Sequence, residues 1–139
     1  KAAVIVGGSS GFGEAIARRF AQEGARVMIA ARGDERLRKV AAEIGAHAVV
    51  CDATDWRQLK ALADAALAKL GRLDVAVNSA GFADAVPIAQ LQPDRVEKMV
   101  AVQYTGAIYF IQHMANAMAA AGNGGSVVTI SSLTGTLVG

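Results

Sequence analysis

The sequence lacks the features typical of disulfide-bonded, nucleic-acid-binding and membrane-spanning proteins. It contains one cysteine, so no internal disulfide can form, and a reducing cytoplasm is the expected location. Its net charge is only +2, and no run of Lys or Arg forms a basic stripe, which argues against nucleic-acid binding. No apolar run reaches the length of a membrane span. We therefore expect a cytoplasmic protein whose partners include neither nucleic acid nor membrane.

Metal-binding patterns are also missing from the sequence. The two histidines, His47 and His113, lie far apart in the chain, and no carboxylate or cysteine stands near either at a spacing typical of metal ligands. Each is expected to be a surface histidine or a hydrogen-bonded one. The sequence therefore predicts no metal site.

What the chain does contain is a regular alternation of apolar strands and amphipathic helices. Strands that alternate with helices form right-handed crossovers in a parallel sheet, so the fold class is α/β. At 139 residues the chain suits one domain, predicted over 1–139. The apolar runs predict strands at 3–6, 27–30, 48–51, 73–77 and 126–131, and helices at about 12–23, 34–45, 55–71 and 93–121.

Two lines of apolar residues follow the long helix predicted at 93–121. A helix that is apolar on two sides is buried on two sides, so we expect one line to face the sheet and the other a partner subunit. The first line contains Val96, Met99, Val100, Ala107, Ile111, Met114 and Met118. The second line, assigned to the partner, contains Val102, Tyr109 and Phe110.

A glycine-rich loop joins the first strand to the first helix. Its sequence, Gly7-Gly8-Ser9-Ser10-Gly11-Phe12-Gly13, lets backbone N–H groups approach a pyrophosphate beside the positive end of a helix dipole. A plain tight turn is the alternative that glycine spacing alone leaves open. The strand–loop–helix context favours the phosphate site.

At this loop the sequence resembles the short-chain dehydrogenase/reductase family, whose three glycines match Gly7, Gly11 and Gly13. Asp52 matches the family's acidic residue after the third strand, and Asn78-Ser79-Ala80-Gly81 resembles its Asn-Asn-Ala-Gly element. The resemblance implies a doubly wound Rossmann sheet in the order 3-2-1-4-5, with later strands missing from the chain. It implies that the cofactor-binding residues are Gly7, Ser9, Ser10, Gly11, Phe12, Gly13, Ala31, Arg32, Asp52, Ala53, Asn78, Ala80, Gly81 and Ile130.

The same resemblance implies a reaction, hydride transfer between a nicotinamide and a carbonyl or alcohol carbon. Ser132 matches the family's catalytic serine, and Gln103 stands where the family has a catalytic Asn. Gln103 is open to two interpretations: an amide bonded to backbone in the core, or the holder of a relay water. The family's Tyr-x-x-x-Lys does not occur in residues 1–139, so we expect a chain trimmed at both ends that is inactive alone.

The end of the second strand predicts the cofactor. An Asp there binds the ribose diol in NAD-preferring relatives, whereas here Ala31 and Arg32 occupy the position. A guanidinium pairs with a 2′-phosphate, so NADP(H) is preferred over NAD(H). The resemblance also implies a homodimer or homotetramer through helix 93–121. The alternative function is a nucleotide-binding regulatory or scaffold protein without catalysis. It is favoured by three departures from the family: Val6 where the family usually has Thr, Ser79 where it has a second Asn, and Gln103 where it has Asn.

Overall fold

The computed structural model describes residues 1–83 and 85–132 as one sheet flanked by helices. The strands are β1 (Ala2–Val6), β2 (Arg26–Ala31), β3 (His47–Val50), β4 (Val75–Asn78) and β5 (Ser126–Thr129). The helices are α1 (Gly11–Gln22), α2 (Asp34–Ile44), α3 (Trp56–Leu70), α4 (Pro93–Val100) and α5 (Gly106–Ala120). A 3-10 turn occupies Ile88–Gln90, and a π-helical turn, Ala101–Thr105, joins α4 to α5 without a break.

The five strands form a parallel sheet in the order β3-β2-β1-β4-β5, as the resemblance implied. β1 is central, and all five of its residues are buried. Both neighbours pair with it in register, Val4 lying beside Met28 of β2 and Ala76 of β4. A strand enclosed on both faces has to be apolar throughout, which explains its continuous apolar sequence.

Alternate side chains of β1 point into two separate cores. Ala2, Val4 and Val6 pack in the core formed with α3 and α5. Ala3 and Ile5 pack in the core formed with α1 and α2 on the opposite face. The period of two along a strand therefore distributes one apolar run over both helical layers, which is the doubly wound arrangement.

Each strand differs from its predicted range by one or two residues at an end, and the differences at the start of β4 and the end of β5 are the largest. β4 begins at Val75 rather than at residue 73, and just before it the side chain of Asp74 accepts a hydrogen bond from the Ala2 backbone N–H at 2.8 Å. β5 ends at Thr129, although the Ile130 N–H still donates to the Asn78 carbonyl. Both differences are local, and neither changes the order of the sheet.

Two aromatic residues in the first turns of amphipathic helices are exposed. Phe12 is 75% exposed in the first turn of α1. Trp56 is 43% exposed and lies at the start of α3, where its indole N–H donates to Gln112. The 3.6-residue period predicts which residues share a helix face, but it does not predict how deeply each of them is buried.

The long helix differs most from its prediction. Val102 and Phe110, assigned to a partner subunit, are only 9% and 1% exposed and pack within the chain, so that assignment is wrong. A π-helical turn holds an extra residue, which shifts the apolar spacing after Ala101 relative to a regular α-helix. The apolar residues exposed along this helix, here called the outer stripe, are Val96, Val100, Tyr104, Ile108 and Ile111. Val96, Val100 and Ile111 were predicted to face the sheet, so that part of the prediction is wrong as well.

Among the described residues, no helix is both long enough and apolar enough to cross a membrane.

Candidate functional site

The loop after β1 has a backbone geometry that only glycine fits. Gly7 has a φ of +79°, and a Cβ there would lie 2.8 Å from the carbonyl of Ser79. A Cβ on Gly13 would lie 2.2 Å from the carbonyl oxygen of Gly7. The loop therefore folds tightly against the segment after β4.

The N-terminus of α1 has no side-chain cap. Ser10 occupies the N-cap position with an extended backbone, but its hydroxyl makes no capping hydrogen bond. The first N–H groups of a helix have no partner within the helix, and they bind anions readily. A glycine cradle beside an uncapped helix end fits a pyrophosphate, which supports the phosphate interpretation over a plain turn.

A cavity of about 420 Å³ opens beside this loop, past the carboxyl ends of β1 to β4. It is the crevice where sheets of this type bind nucleotides. The fold thus brings predicted residues from four separate segments to one place. Those that line the cavity are Gly7, Ser9, Ser10, Gly11, Phe12, Ala31, Arg32, Asp52, Ala53, Ala80 and Gly81.

Two charged residues stand in this first cavity, and their surroundings differ. Asp52 is partly buried, and one carboxylate oxygen accepts from the backbone N–H and the hydroxyl of Thr54, at 2.9 and 2.8 Å. Arg32 is exposed and makes no ion pair with any described residue. Arg36 and Arg38 on the next helix are paired with carboxylates. Arg32 is therefore a cation that the described part of the chain does not neutralise.

A second cavity, of about 670 Å³, adjoins the first and lies past β4 and β5. Ser132 and Gln103, the two predicted catalytic residues, both line it, together with Ile130 and Asn78. Phe12 and the segment 79–82 line both cavities. The two cavities thus form one groove, with the glycine loop at one end and Ser132 at the other.

Asn78 and Gln103 hold the segment between the cavities from two sides. Asn78 is only 3% exposed, and its side-chain oxygen accepts from the N–H of Ala80 at 3.0 Å. Gln103, exposed within the π-helical turn, donates its side-chain amide to the backbone carbonyl of Phe82. Of the two interpretations, the amide is bonded to backbone, but it lines a cavity instead of lying in the core.

Sequence reasoning missed some residues of the groove, above all Phe82. Its ring carries no polar signal, and its place in the groove follows from the loop path after Gly81. Val102 was also missed, because the straight-helix prediction placed it on the opposite face. The position of Phe82, directly after the Asn-Ser-Ala-Gly element, was the one signal available.

Two titratable side chains in this part of the molecule, Cys51 and His113, are buried. Cys51 is 1% exposed, and burial together with Asp52 and Asp55 raises the pKa of its thiol to about 11, so it stays protonated. His113 is buried between α3 and α5, with its ring edge-on to Trp56. Its Nε2 has no hydrogen-bond partner among the described residues, so it is neither the surface nor the fully bonded histidine expected.

Across residues 1–83 and 85–132, no cluster of three or more His, Cys, Asp or Glu side chains could hold a metal ion.

A parallel sheet whose central crevice carries a glycine loop and an uncapped helix end defines a dinucleotide-binding fold. Within that class, the family model described as short chain dehydrogenase matches residues 1–139, and the chain belongs to this family. The oxidoreductase relatives below agree with that membership.

Among curated relatives, sorbitol dehydrogenase of Cereibacter sphaeroides is 35% identical over 137 residues, which cover 97% of this chain and 54% of that protein. D-threitol dehydrogenase of Mycolicibacterium smegmatis is 34% identical over 142 residues, covering 99% and 54%. The chain spans about half the length of the curated relatives it matches.

Solved structures show the same likeness. A variant of actinorhodin polyketide ketoreductase with NADPH superposes with a TM-score of 0.93 at 32% identity, covering 100% of this chain and 56% of that one. A short chain dehydrogenase from Mycobacterium smegmatis superposes with a TM-score of 0.95 at 27% identity, covering 100% and 61%. The fold and the dehydrogenase/reductase family are therefore both established.

Proposed function

We propose that this protein is an NADP(H)-dependent oxidoreductase that transfers a hydride between the nicotinamide and a carbonyl or alcohol carbon. The observation that carries the proposal is the continuous groove. One end has a glycine cradle, an uncapped helix and Arg32, and the other end has Ser132. A nicotinamide cofactor accepts or donates the hydride, and the protein binds and orients the two reactants.

The preference for NADP(H) follows from charge at the end of β2. Ala31 lines the first cavity where a carboxylate would repel a 2′-phosphate, and Arg32 stands beside it. A guanidinium can donate two parallel hydrogen bonds to a phosphate. Because no described carboxylate neutralises Arg32, its charge is available to that phosphate. The neighbouring structure with NADPH is consistent with this preference.

At the other end of the groove, the hydroxyl of Ser132 would donate to the substrate oxygen as negative charge develops on it. Neither Tyr104 nor Tyr109 is followed by Lys four residues later. We therefore propose that residues 1–139 alone bind the cofactor as a single dinucleotide-binding domain but do not turn over, since a tuned proton donor is lacking.

We further propose a homodimer, or a tetramer of such dimers, in a reducing cytoplasm. The surface that supports this assembly is the outer stripe, Val96 to Ile111, rather than the buried residues Val102 and Phe110. Isologous contact between two copies of the long helix would cover the same five apolar side chains on each copy.

The experiment that tests the function uses the full-length protein. NADPH oxidation is followed against ketones and aldehydes for the parent, for Ser132→Ala and for Ser126→Ala. Loss of one donor to a developing oxyanion costs about 10²- to 10³-fold in kcat, which we expect for Ser132→Ala. Ser126, exposed at the start of β5 and outside both cavities, is the matched control and should leave the rate unchanged.

The alternative function has its own signature in the same experiment. A regulatory or scaffold protein would bind NADPH tightly, but it would not oxidise NADPH with any of the carbonyl compounds tested. The replacements at Val6, Ser79 and Gln103 favour that alternative, and the amide of Gln103 is already engaged by a backbone carbonyl. Tight binding without turnover in the parent protein would reject the enzyme.

A further inference from the structure

Phe82 stands at the junction of the two cavities. It follows Gly81 on the loop after β4, is half-buried, and lines both cavities. Phe82 therefore belongs to the lining that the glycine-loop end and the Ser132 end of the groove share. A side chain in that place can contact whatever lies beside Ser132.

The long helix holds Phe82 at two points. The amide of Gln103 donates to the Phe82 backbone carbonyl, which fixes the main chain. The ammonium of Lys98 lies 5.2 Å from the centroid of the Phe82 ring, within the range of a cation–π interaction. Lys98 lines neither cavity, so this contact leaves the ring available to the groove. Backbone and ring are thus positioned by separate side chains.

The second cavity is uncharged over its described lining. Its side chains are those of Phe, Ala, Ile, Asn, Gln, Ser and Thr, with no Asp, Glu, Lys, Arg or His. A charged substrate would lose its hydration there without gaining a partner, whereas an apolar ring would gain contact with Phe82. The lining therefore favours a neutral molecule with a flat apolar part.

We propose that Phe82 is a specificity-determining residue that selects carbonyl or alcohol substrates bearing a flat apolar ring, and that Lys98 and Gln103 are the residues that position it. This proposal rests on the proposed function, because it takes the cavity at Ser132 as the substrate site. It adds the substrate class, which neither the glycine loop nor Ser132 indicates.

The test compares acetophenone with acetone, two methyl ketones that differ in the ring. In the full-length protein, Phe82→Leu should lower the ratio of kcat/KM for acetophenone over acetone by about two- to tenfold, the size of an aromatic pair contact. Lys98→Met keeps the apolar stem and removes the charge, so the ratio should fall by about two- to fivefold. Lys98→Arg keeps the cation and should restore the ratio.

Coupling between the residues distinguishes positioning from general damage. The double variant Phe82→Leu, Lys98→Met should show the ratio of Phe82→Leu alone, because Lys98 acts through the ring. Gln103→Asn shortens the arm by one methylene and should lower the same ratio. The dissociation constant of NADPH should stay within about twofold of the parent value in Lys98→Met, because Lys98 lines neither cavity.

A binding readout separates this proposal from the proposed function. Saturation-transfer NMR detects which protons of each ketone contact the protein, and it requires no reaction. It should show contact of the acetophenone ring with the parent protein, whether or not the protein turns over. That contact should be lost in Phe82→Leu. Equal effects of Phe82→Leu on both ketones would overturn the proposal, as would ring contact that survives the substitution. An effect of Lys98→Met that adds fully to that of Phe82→Leu would also overturn it.

Discussion

His113 illustrates, at the scale of single residues, how burial decides the state of a titratable group. Its imidazole lies between α3 and α5 against Trp56, with Nε2 unpartnered among the described residues. Burial lowers its pKa, and so does the positive charge of Lys60. The hydrogen bond with the Trp56 backbone and the charge of Asp64 oppose that shift only in part. The folded protein therefore holds His113 neutral.

This protonation state predicts a pH dependence of stability. Because the folded protein has the lower pKa, it binds fewer protons at His113 than the unfolded chain does. The stability that neutral His113 contributes is fully present above about pH 6.5, the pKa of histidine in an unfolded chain. It is lost as the pH falls below that value. The free energy of unfolding by urea should thus decline less between about pH 7.5 and about pH 5.5 in His113→Met than in the parent.

His47 provides the matched control for this measurement. It is exposed at the start of β3, and His47→Gln should show the decline of the parent protein. The comparison between variants removes the contribution of the carboxylates, whose titration is common to all three proteins. If His113→Met declined as steeply as the parent, the neutral buried histidine would not be the cause.

At the scale of elements, the π-helical turn and the glycine after it bring the long helix to the groove. Gly106 packs against the loop after β3, where a Cβ would lie 2.4 Å from the carbonyl oxygen of Ala53. Ala53 and its neighbour Asp52 line the first cavity. The close approach therefore links the position of the long helix to the shape of the glycine-loop end of the groove.

We expect Gly106→Ala to destabilise the protein by about 1–3 kcal/mol, because the obstructing atom is backbone and the helix or the loop has to move. The measurement is urea unfolding monitored by circular dichroism. Gly33→Ala is the control, since no atom lies within 4 Å of its added Cβ and its φ is not positive. A Gly106→Ala protein as stable as the parent would contradict a close contact between the helix and the Ala53 carbonyl.

Most of the sheet could be predicted from sequence, because its signals are local. A run such as Ala3 to Val6 bounded by glycines predicts a buried parallel strand from those residues alone. The π-helical turn could not be predicted, since no residue type in Ala101–Thr105 demands it and the 3.6-residue period assumes a regular helix. The partner-facing side of the long helix was assigned wrongly for the same reason.

The candidate site shows the same division between local and non-local signals. The glycine loop, Asp52 and Ser132 could be found because each follows a strand, and strand ends meet at one edge of a parallel sheet. Phe82 could not be found in this way. Its position depends on contacts with Lys98 and Gln103, which lie sixteen and twenty-one residues further along the chain.

At the scale of the whole molecule, the outer stripe is the largest apolar feature left exposed on the long helix. Its members include Tyr104 at 65% exposed and Ile108 at 47%. A contiguous patch of exposed apolar side chains on a soluble protein often indicates a surface that binds another molecule. The homodimer proposed above places this stripe against its own copy.

We expect Ile108→Lys to convert the full-length dimer to monomer, because two copies of the new charge would face each other at the two-fold axis. Sedimentation velocity at micromolar concentration gives the answer directly. Ile88→Lys is the control, since Ile88 is 85% exposed but lies outside the stripe, and it should leave the dimer intact. A parent protein that sediments as a monomer would remove the basis for the assembly.

The central claim is that the groove binds NADP(H) and that Arg32 selects it. The most direct test is a fluorescence titration of NADPH and NADH with the parent, with Arg32→Ala and with Arg38→Ala. Arg38 is ion-paired with Asp34 and lines neither cavity, so its removal controls for net charge. The account predicts about 10- to 100-fold tighter NADPH binding in the parent and in Arg38→Ala, and nearly equal affinities in Arg32→Ala. Equal affinities in the parent, or a preference that survives Arg32→Ala, would contradict it.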